Sequence, residues 1–374
     1  MVYDAAALPL ESLFAPVARA TEVLARLDER LARSSVRDGW LERQNFADAA
    51  AVLWLEGELV HLEDLVLHDA HMDVRAPTHE LTRAHAVLRA RRQILARAAD
   101  WALGREGLRQ LTGRGSLAAP AENGREGDGG PLLAVGLDES MEADDPDPLG
   151  EEFAAIDAVL ERTSKVLEGG GVPARREAAS QSDRPGLVYD LDWDEDARLA
   201  EWQDVLAATR QLPVVLRAAI LLDAWFEIEV LQHATWLGPL LVAALLRQEG
   251  LCASHLVCLH TGAKNIPRER RRARLRNDRL LAFVDAIQDA ALTGLREHDR
   301  LVLAKSQMER RLRERRVSSR LPDLVELVLS RPLVSTGIIQ ARLKVSKQGA
   351  LNLISELGLR EMTGRGRFRA WGVV

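Results

Sequence analysis

Two cysteines, two tyrosines and an aromatic content of 4% are little for a chain of 374 residues. Each scarcity excludes something. With Cys252 and Cys258 as the only thiols, there is no cysteine framework for a disulfide-stapled secreted fold. The start "MVYDAAALPLESLF" has no basic stretch leading into an apolar run, so no leader is expected and the cytoplasm is the expected location. The β-branched and aromatic residues that favour strands are far outnumbered by Leu, Ala, Arg and Glu, which predicts a mainly α fold. A long uninterrupted apolar run is missing too. The richest stretch, Leu212 to Leu246, carries Asp223, Glu227 and Glu229 and a Gly238-Pro239 break, whereas a membrane span needs ~20 predominantly apolar residues. No membrane partner is expected. Nor is there a positive excess: the net charge of −6 excludes a globally basic nucleic-acid coat, although an average can conceal a basic module.

What is present is a chain long enough for two or three domains, with 47% hydrophobic residues to fill them. Residues 1–115 read as a helical segment. Leu24, Leu27 and Leu31 recur at helical spacing, and so do Leu55, Leu59, Leu62 and Leu65, which predicts one apolar stripe per helix. "DVRAPTHE" is a turn before a further helix. Residues 116–186 shift to Gly, Pro, Ala, Asp and Glu, with one short helix from "EEFAAIDAVLERTSKVL"; too little apolar surface is available there to offset the entropy of ordering, so a mostly disordered linker is expected. Residues 187–316 form a second helical segment. They hold the apolar stretch around His233, the basic run "IPRERRRARLRNDRLL" and a long periodic helix.

The last unit, residues 317–374, carries the clearest pattern. "LPDLVELVLS" predicts a helix ended by Arg331-Pro332, and "STGIIQARL" a second one capped by Ser335 or Thr336. "SKQGALNLISEL" predicts a third with Ser346 as N-cap, stopped by Gly358. The remainder reads as a hairpin turning at Thr363 to Gly366. Three helices and a basic hairpin are the sequence form of a winged helix-turn-helix. On the third helix Ala350, Ile354 and Leu357 share the face that would pack inward. That leaves Lys347, Gln348, Asn352 and Ser355 outward, with side chains suited to phosphates and base edges. The wing carries Arg360, Arg365, Arg367 and Arg369, with Phe368 and Trp371 to anchor it. From Leu321 onward, Arg331, Arg342, Lys344, Lys347 and the four wing arginines face only Asp323, Glu326, Glu356 and Glu361. This local positive excess is the footprint expected of a module whose partner is double-stranded DNA. Winged helices also serve as protein-docking modules.

Two further stretches resemble the Fic family, whose members place a winged helix after an all-α core that often transfers AMP to hydroxyl side chains. "DAAAVLWLEGELVHLEDL" is similar to the Fic inhibitory helix, with Glu56-Gly57 at its Glu-Gly and with Val52 and Leu53 where the family has serines. "LPVVLRAAILLDAWFEIEVLQHATWLGPLLVAALL" is similar to the catalytic core, with Phe226-Glu227 at the end of one helix and Gly238 in the next. Between these anchors the family's catalytic histidine falls near Val230, its arginines fall on Trp236 and Pro239, and its phosphate-loop asparagine has no counterpart. The resemblance therefore implies a degenerate Fic-like core. "LQHATWLGP" offers one glycine and no cation to hold a nucleotide, and His233 is expected to fill space as a partly buried side chain. The whole chain outside the linkers also resembles a proteobacterial, rhizobial-type family with a domain of unknown function at Leu187 to Arg316 and a C-terminal helix-turn-helix. "IPRERRRARLRNDRLLAFVDAI" and "GRGRFRAWG" carry that likeness.

Other constellations have blander readings. Cys252, His255, Cys258 and His260 have ligand chemistry without the two separated pairs usual for zinc, and the cysteines are expected in the core. His61, Asp64, His68 and His71 are expected on one solvated helix face. Asp190, Asp192, Asp194 and Asp196 lack the glycine and terminal glutamate of a calcium loop; Asp194 is a candidate helix cap. No metal and no cofactor are expected. Arg270, Arg271, Arg272 and Arg274, within the Arg268 to Arg276 run, are either a second phosphate-contacting surface or a solvated face that pairs with the acidic segments. The expectation is thus a non-enzymatic, DNA-binding transcriptional regulator, with a homodimer expected on geometric grounds. The alternatives are a divergent Fic-type AMP transferase and an interaction module of a toxin-antitoxin-like pair.

Overall fold

A single helix of 37 residues, Arg276–Leu312, organises the structure, a computed structural model that describes residues 3, 10–71, 76–113, 193–312, 320–363 and 369–373. These fall in one compact unit built from 1–117 and 191–374; the expected linker, 116–186, lies outside the described residues. The unit is mainly α. Its helices are α1 Leu10–Ala32, α2 Arg37–Leu55, α3 Leu62–Asp69, α4 His79–Ala96, α5 Arg105–Leu111, α6 Glu195–Ala208, α7 Val214–Ile228, α8 Leu237–Gln248, α9 Leu259–Lys264, α10 Arg268–Arg271 and α11, the long one. A C-terminal helix-turn-helix domain follows: α12 Leu321–Ser330, β1 Val334–Ser335, α13 Thr336–Leu343, α14 Lys347–Leu357, β2 Arg360–Glu361 and β3 Ala370–Gly372. No helix of the described residues is long and apolar enough to cross a membrane.

Helix α1 buries Leu13, Val17, Ala20, Leu24, Leu27 and Leu31, a 3- and 4-residue rhythm that presents one stripe to the core. That stripe lies along α11 with both helices running the same way, since Ser12 bonds Asn277 at one end and Arg30 bonds Asp299 at the other. Gly294 makes the close approach possible. A Cβ there would stand 2.8 Å from Leu27 and 3.0 Å from Trp40. The Trp40 indole closes the contact by donating to the Gly294 carbonyl at 2.9 Å.

The centre is the pair α7 and α8, buried on nearly every side. They meet at Gly238, where a Cβ would lie 2.3 Å from the Trp225 ring, so only glycine permits the contact. Trp225 in turn stacks edge-on against Trp202 of α6.

The chain before residue 114 is joined to the chain after 193 by buried charge. Asp48 of α2 accepts from Arg91 of α4 at 2.5 Å, from His260 at 3.0 Å and from the Thr261 amide at 2.9 Å, both of α9. Arg91 also donates to Asn45 and to the Leu256 carbonyl. A buried carboxylate is tolerable only when its lone pairs are filled in this way.

One expected stripe is corrected. Leu55, Leu59, Leu62 and Leu65 do not share a helix: α2 stops at Leu55, Gly57 takes φ +88°, and Leu59 is exposed in the loop before α3. Spacing continued across the break, but Gly57 ended the helix. The same break undoes the expected histidine face, since His61 precedes α3 and His71 follows it at φ +54°.

Candidate nucleic-acid interface

In the C-terminal domain the caps fall where the short polar residues stand. The Ser335 hydroxyl accepts from the Ile338 amide at 3.3 Å, and Ser346 accepts from Gly349 at 3.1 Å, starting α13 and α14 respectively. Gly358, at φ +67°, ends α14 in the left-handed conformation, and the Leu359 amide returns to the Ile354 carbonyl at 3.2 Å. Antiparallel β1 and β2 flank β3, with Val334 and Glu361 both opposite Trp371. Trp371 is buried and pins the sheet to the helices.

Helix α14 buries Ala350, Ile354 and Leu357, and exposes Lys347, Gln348, Asn352 and Ser355. Gln348 donates to Asn352 one turn on, at 3.0 Å, so the two amides form a linked polar row along the outer face. Arg360, at the root of the wing, is exposed. Arg369 is placed differently. Its guanidinium donates twice to Glu361, at 2.8 and 2.5 Å, and covers the Trp371 ring. That pair lowers the Glu361 pKa and raises that of Arg369, chiefly through the hydrogen bonds. Arg365, Arg367 and Phe368 lie outside the described residues.

Sequence reasoning counted two further cations in the charge of this domain without placing them at the interface. Arg342 ends α13 and Lys344 follows in the connecting turn, both exposed. Lys344 holds φ +55°, a conformation usually left to Gly or Asn. A non-glycine residue between two predicted caps was the available signal.

The Arg268 to Arg276 run is divided by the fold. Arg270 pairs with Asp285 at 2.7 Å, and half-buried Arg271 donates to the Ile266 carbonyl. Burial, followed by the neighbouring Arg272 and Arg268, lowers the Arg271 pKa. Arg272 and Arg274 are exposed. The adjoining Arg276 and Arg279 turn inward to buried Asp223, which also accepts from the Tyr3 hydroxyl at 2.7 Å. A uniform basic face is therefore not what the run forms.

The positions singled out by the resemblance to the Fic family are dispersed: Glu56 and Gly57 just past the end of α2, Phe226 and Glu227 in the last turn of α7, His233 in the α7–α8 loop and Gly238 in the first turn of α8. Glu56 accepts from Arg83 and, at 3.2 Å, from Thr235 of the loop. Phe226 stacks on Phe283, and Glu227 lies 3.4 Å from Arg279. His233 corrects its expectation: the side chain is 50% exposed and stands 3.5 Å from Glu195, so it fills no core space. The reversal at Glu229, in the left-handed conformation, buries Val230 and Leu231 instead.

The Cys252 to His260 segment turns each group to its own partner. His255 binds Asp28, His260 binds Asp48, and the Cys258 thiol, pushed up to about 12 by burial, lies against Arg91. Among the described residues no three His, Cys, Asp or Glu side chains are placed to share a metal. Asp194 caps α6 through the Ala197 amide at 2.9 Å.

Comparison with known proteins adds two domain assignments and a relative. Residues 187–313 match the family model described as "Protein of unknown function (DUF1612)", and residues 321–374 match the model described as "HTH DNA binding domain". The uncharacterized protein y4cF of Sinorhizobium fredii (strain NBRC 101917 / NGR234) is 51% identical over 380 residues, an alignment that covers 100% of each chain.

Proposed function

Because this chain belongs to the family of the rhizobial protein y4cF and ends in a helix-turn-helix DNA-binding domain, we propose that it is a transcriptional regulator that reads duplex DNA with α14. The observation that carries this is the row Lys347, Gln348, Asn352 and Ser355, exposed on a helix whose opposite face is packed. Asn and Gln can each make paired hydrogen bonds to adenine, and Lys bonds guanine or phosphate. Placed in the major groove, this face reads bases while Arg360, Arg365 and Arg367 lie along the backbone. Arg342 and Lys344 join the phosphate contacts. Arg369 contributes through the shape of the wing, since Glu361 already occupies it. Two copies on a half-site repeat would make the complex a homodimer, and such a protein works where the chromosome lies, in the cytoplasm.

On the same reading the core is a degenerate Fic-like scaffold and not an enzyme. The Glu56 to Thr235 contact supports the likeness, since it joins the Glu-Gly stretch to the loop that would carry catalysis. The loop's own chemistry argues against transfer: residues 229–236 contain no Lys or Arg, and His233 faces Glu195.

The test is DNA affinity of the full chain against salt. Each lost phosphate contact flattens the logarithmic salt slope by about 0.9, so Arg365→Ala with Arg367→Ala is expected to flatten it by roughly twice that. An unchanged slope would remove the wing from the interface. Transfer of label from ATP to protein, abolished in His233→Ala, would reverse the reading of the core.

A further inference from the structure

The recognition helix α14 is held at its far end by the core. Helix α11 belongs to two hydrophobic clusters at once. Leu280 to Leu301 pack in the main core, while Met308, flanked by Ala304 and Leu312, packs with α12, α13 and α14. One turn further, Arg311 Nη1 donates to the Leu357 carbonyl, the last of α14, at 2.5 Å. Gly358 leaves room for it: a Cβ there would lie 2.7 Å from Nη1.

A second arginine, this one buried, does the same for α12. Arg43 of α2 is 8% exposed and donates to the Val328 and Leu329 carbonyls at 2.8 and 2.7 Å, at the end of that helix. Gly39, one turn earlier on α2, admits the Leu329 carbonyl. Among the described residues neither arginine has a carboxylate within ion-pair distance. Apart from the Gly39 carbonyl on α2 itself, which also accepts from Arg43, their partners are helix-terminal carbonyls, which carry the negative end of the helix dipole and lack intrahelical donors.

We propose that Arg311 is a positioning residue for DNA recognition: it fixes the C-terminal end of α14 to α11, so that the core sets the angle at which Lys347 to Ser355 meet the groove. Arg43 anchors α12 from the other side, so α2 reaches the domain at α12 while α11 is the element that touches the end of the recognition helix itself. The functional half of this inference rests on the DNA-binding reading; the mechanical half does not.

Two measurements on the full chain separate them. Hydrogen exchange at residues 354–359 is expected to rise tenfold or more in Arg311→Ala, as a charge-assisted hydrogen bond is lost. Arg311→Lys, which keeps one donor, should restore most of the protection. DNA affinity is expected to fall in Arg311→Ala with the salt slope unchanged, because a positioning residue neutralises no phosphate. Unaltered exchange in Arg311→Ala would overturn the proposal. So would a slope flattened by about 0.9, which would make Arg311 a phosphate contact. If the unsubstituted chain binds no duplex at all, the DNA-binding reading fails, and the exchange result alone decides whether Arg311 holds α14.

Discussion

Asp48→Asn is expected to weaken the union of the two halves of the core more than any surface change. Asp48 is fully buried and takes four hydrogen bonds: from Arg91, from His260, and from the amide and hydroxyl of Thr261. Burial alone would raise its pKa, but the charges of Arg91 and His260, with the hydrogen bonds from His260 and the Thr261 amide, outweigh it and hold the group at about 2, against an ordinary 3.8. A folded value below the unfolded one means stability that is present above pH 4 and lost as pH falls toward 2. The shift corresponds to about 2 kcal/mol by proton linkage. Asparagine removes more, because Arg91, 1% exposed, is left as a buried cation without its counter-ion. Breaking such a pair costs about 3–5 kcal/mol, a large share of the roughly 5–15 kcal/mol that holds a domain folded. Urea denaturation at pH 7 gives the loss directly. Asp48→Asn with Arg91→Met should recover part of it, since removing the guanidinium as well leaves no orphan charge at that position. A loss below about 1 kcal/mol in the single variant would refute the argument, as it would put the pair in the class of solvated surface bridges.

Two further outcomes follow from the packing and the buried imidazoles. Gly39→Ala places a Cβ 1.7 Å from the Leu329 carbonyl oxygen, so α2 and α12 must part, with an expected cost of about 1–3 kcal/mol and faster hydrogen exchange across 324–330; Gly337→Ala, with only the Ser335 hydroxyl at 3.9 Å, serves as the tolerated control. His255 has its pKa lowered by burial, against the pull of Asp28, and its Nε2 is enclosed without a partner among the described residues. Its neutral form is the one the fold favours, so stability should decline as pH falls below about 6.5; this is read as a falling urea midpoint between pH 7 and 5.5 that is shallower in His255→Gln, and parallel curves would contradict it.

Much of the fold was legible because its signals are local. Asp194, Ser335 and Ser346 are polar residues set just before apolar periods, and each caps its helix in the structure. Ala350, Ile354 and Leu357 announced the packed face of α14 by spacing alone. The misreadings arose where spacing ran on through a break, as at Gly57, or where burial was inferred from apolar neighbours, as at His233. The contacts that set the candidate site have no local signal. Arg43 reaches carbonyls more than 280 residues away in sequence, and a guanidinium bound to a helix end looks in sequence like any surface arginine. Arg369 is a case of the same kind: the wing's arginines were visible, but the pairing of this one with Glu361 across the hairpin depended on strand register.

Genome-wide mapping of DNA bound by the full chain, beside the Asn352→Ala variant, tests the central claim most directly. The account predicts discrete enriched sites sharing a sequence, with half-sites about one helical turn apart, and their loss or relaxation when Asn352 no longer reads a base. No enrichment over background, or identical sites for both proteins, would contradict the assignment of α14 as the element that reads DNA.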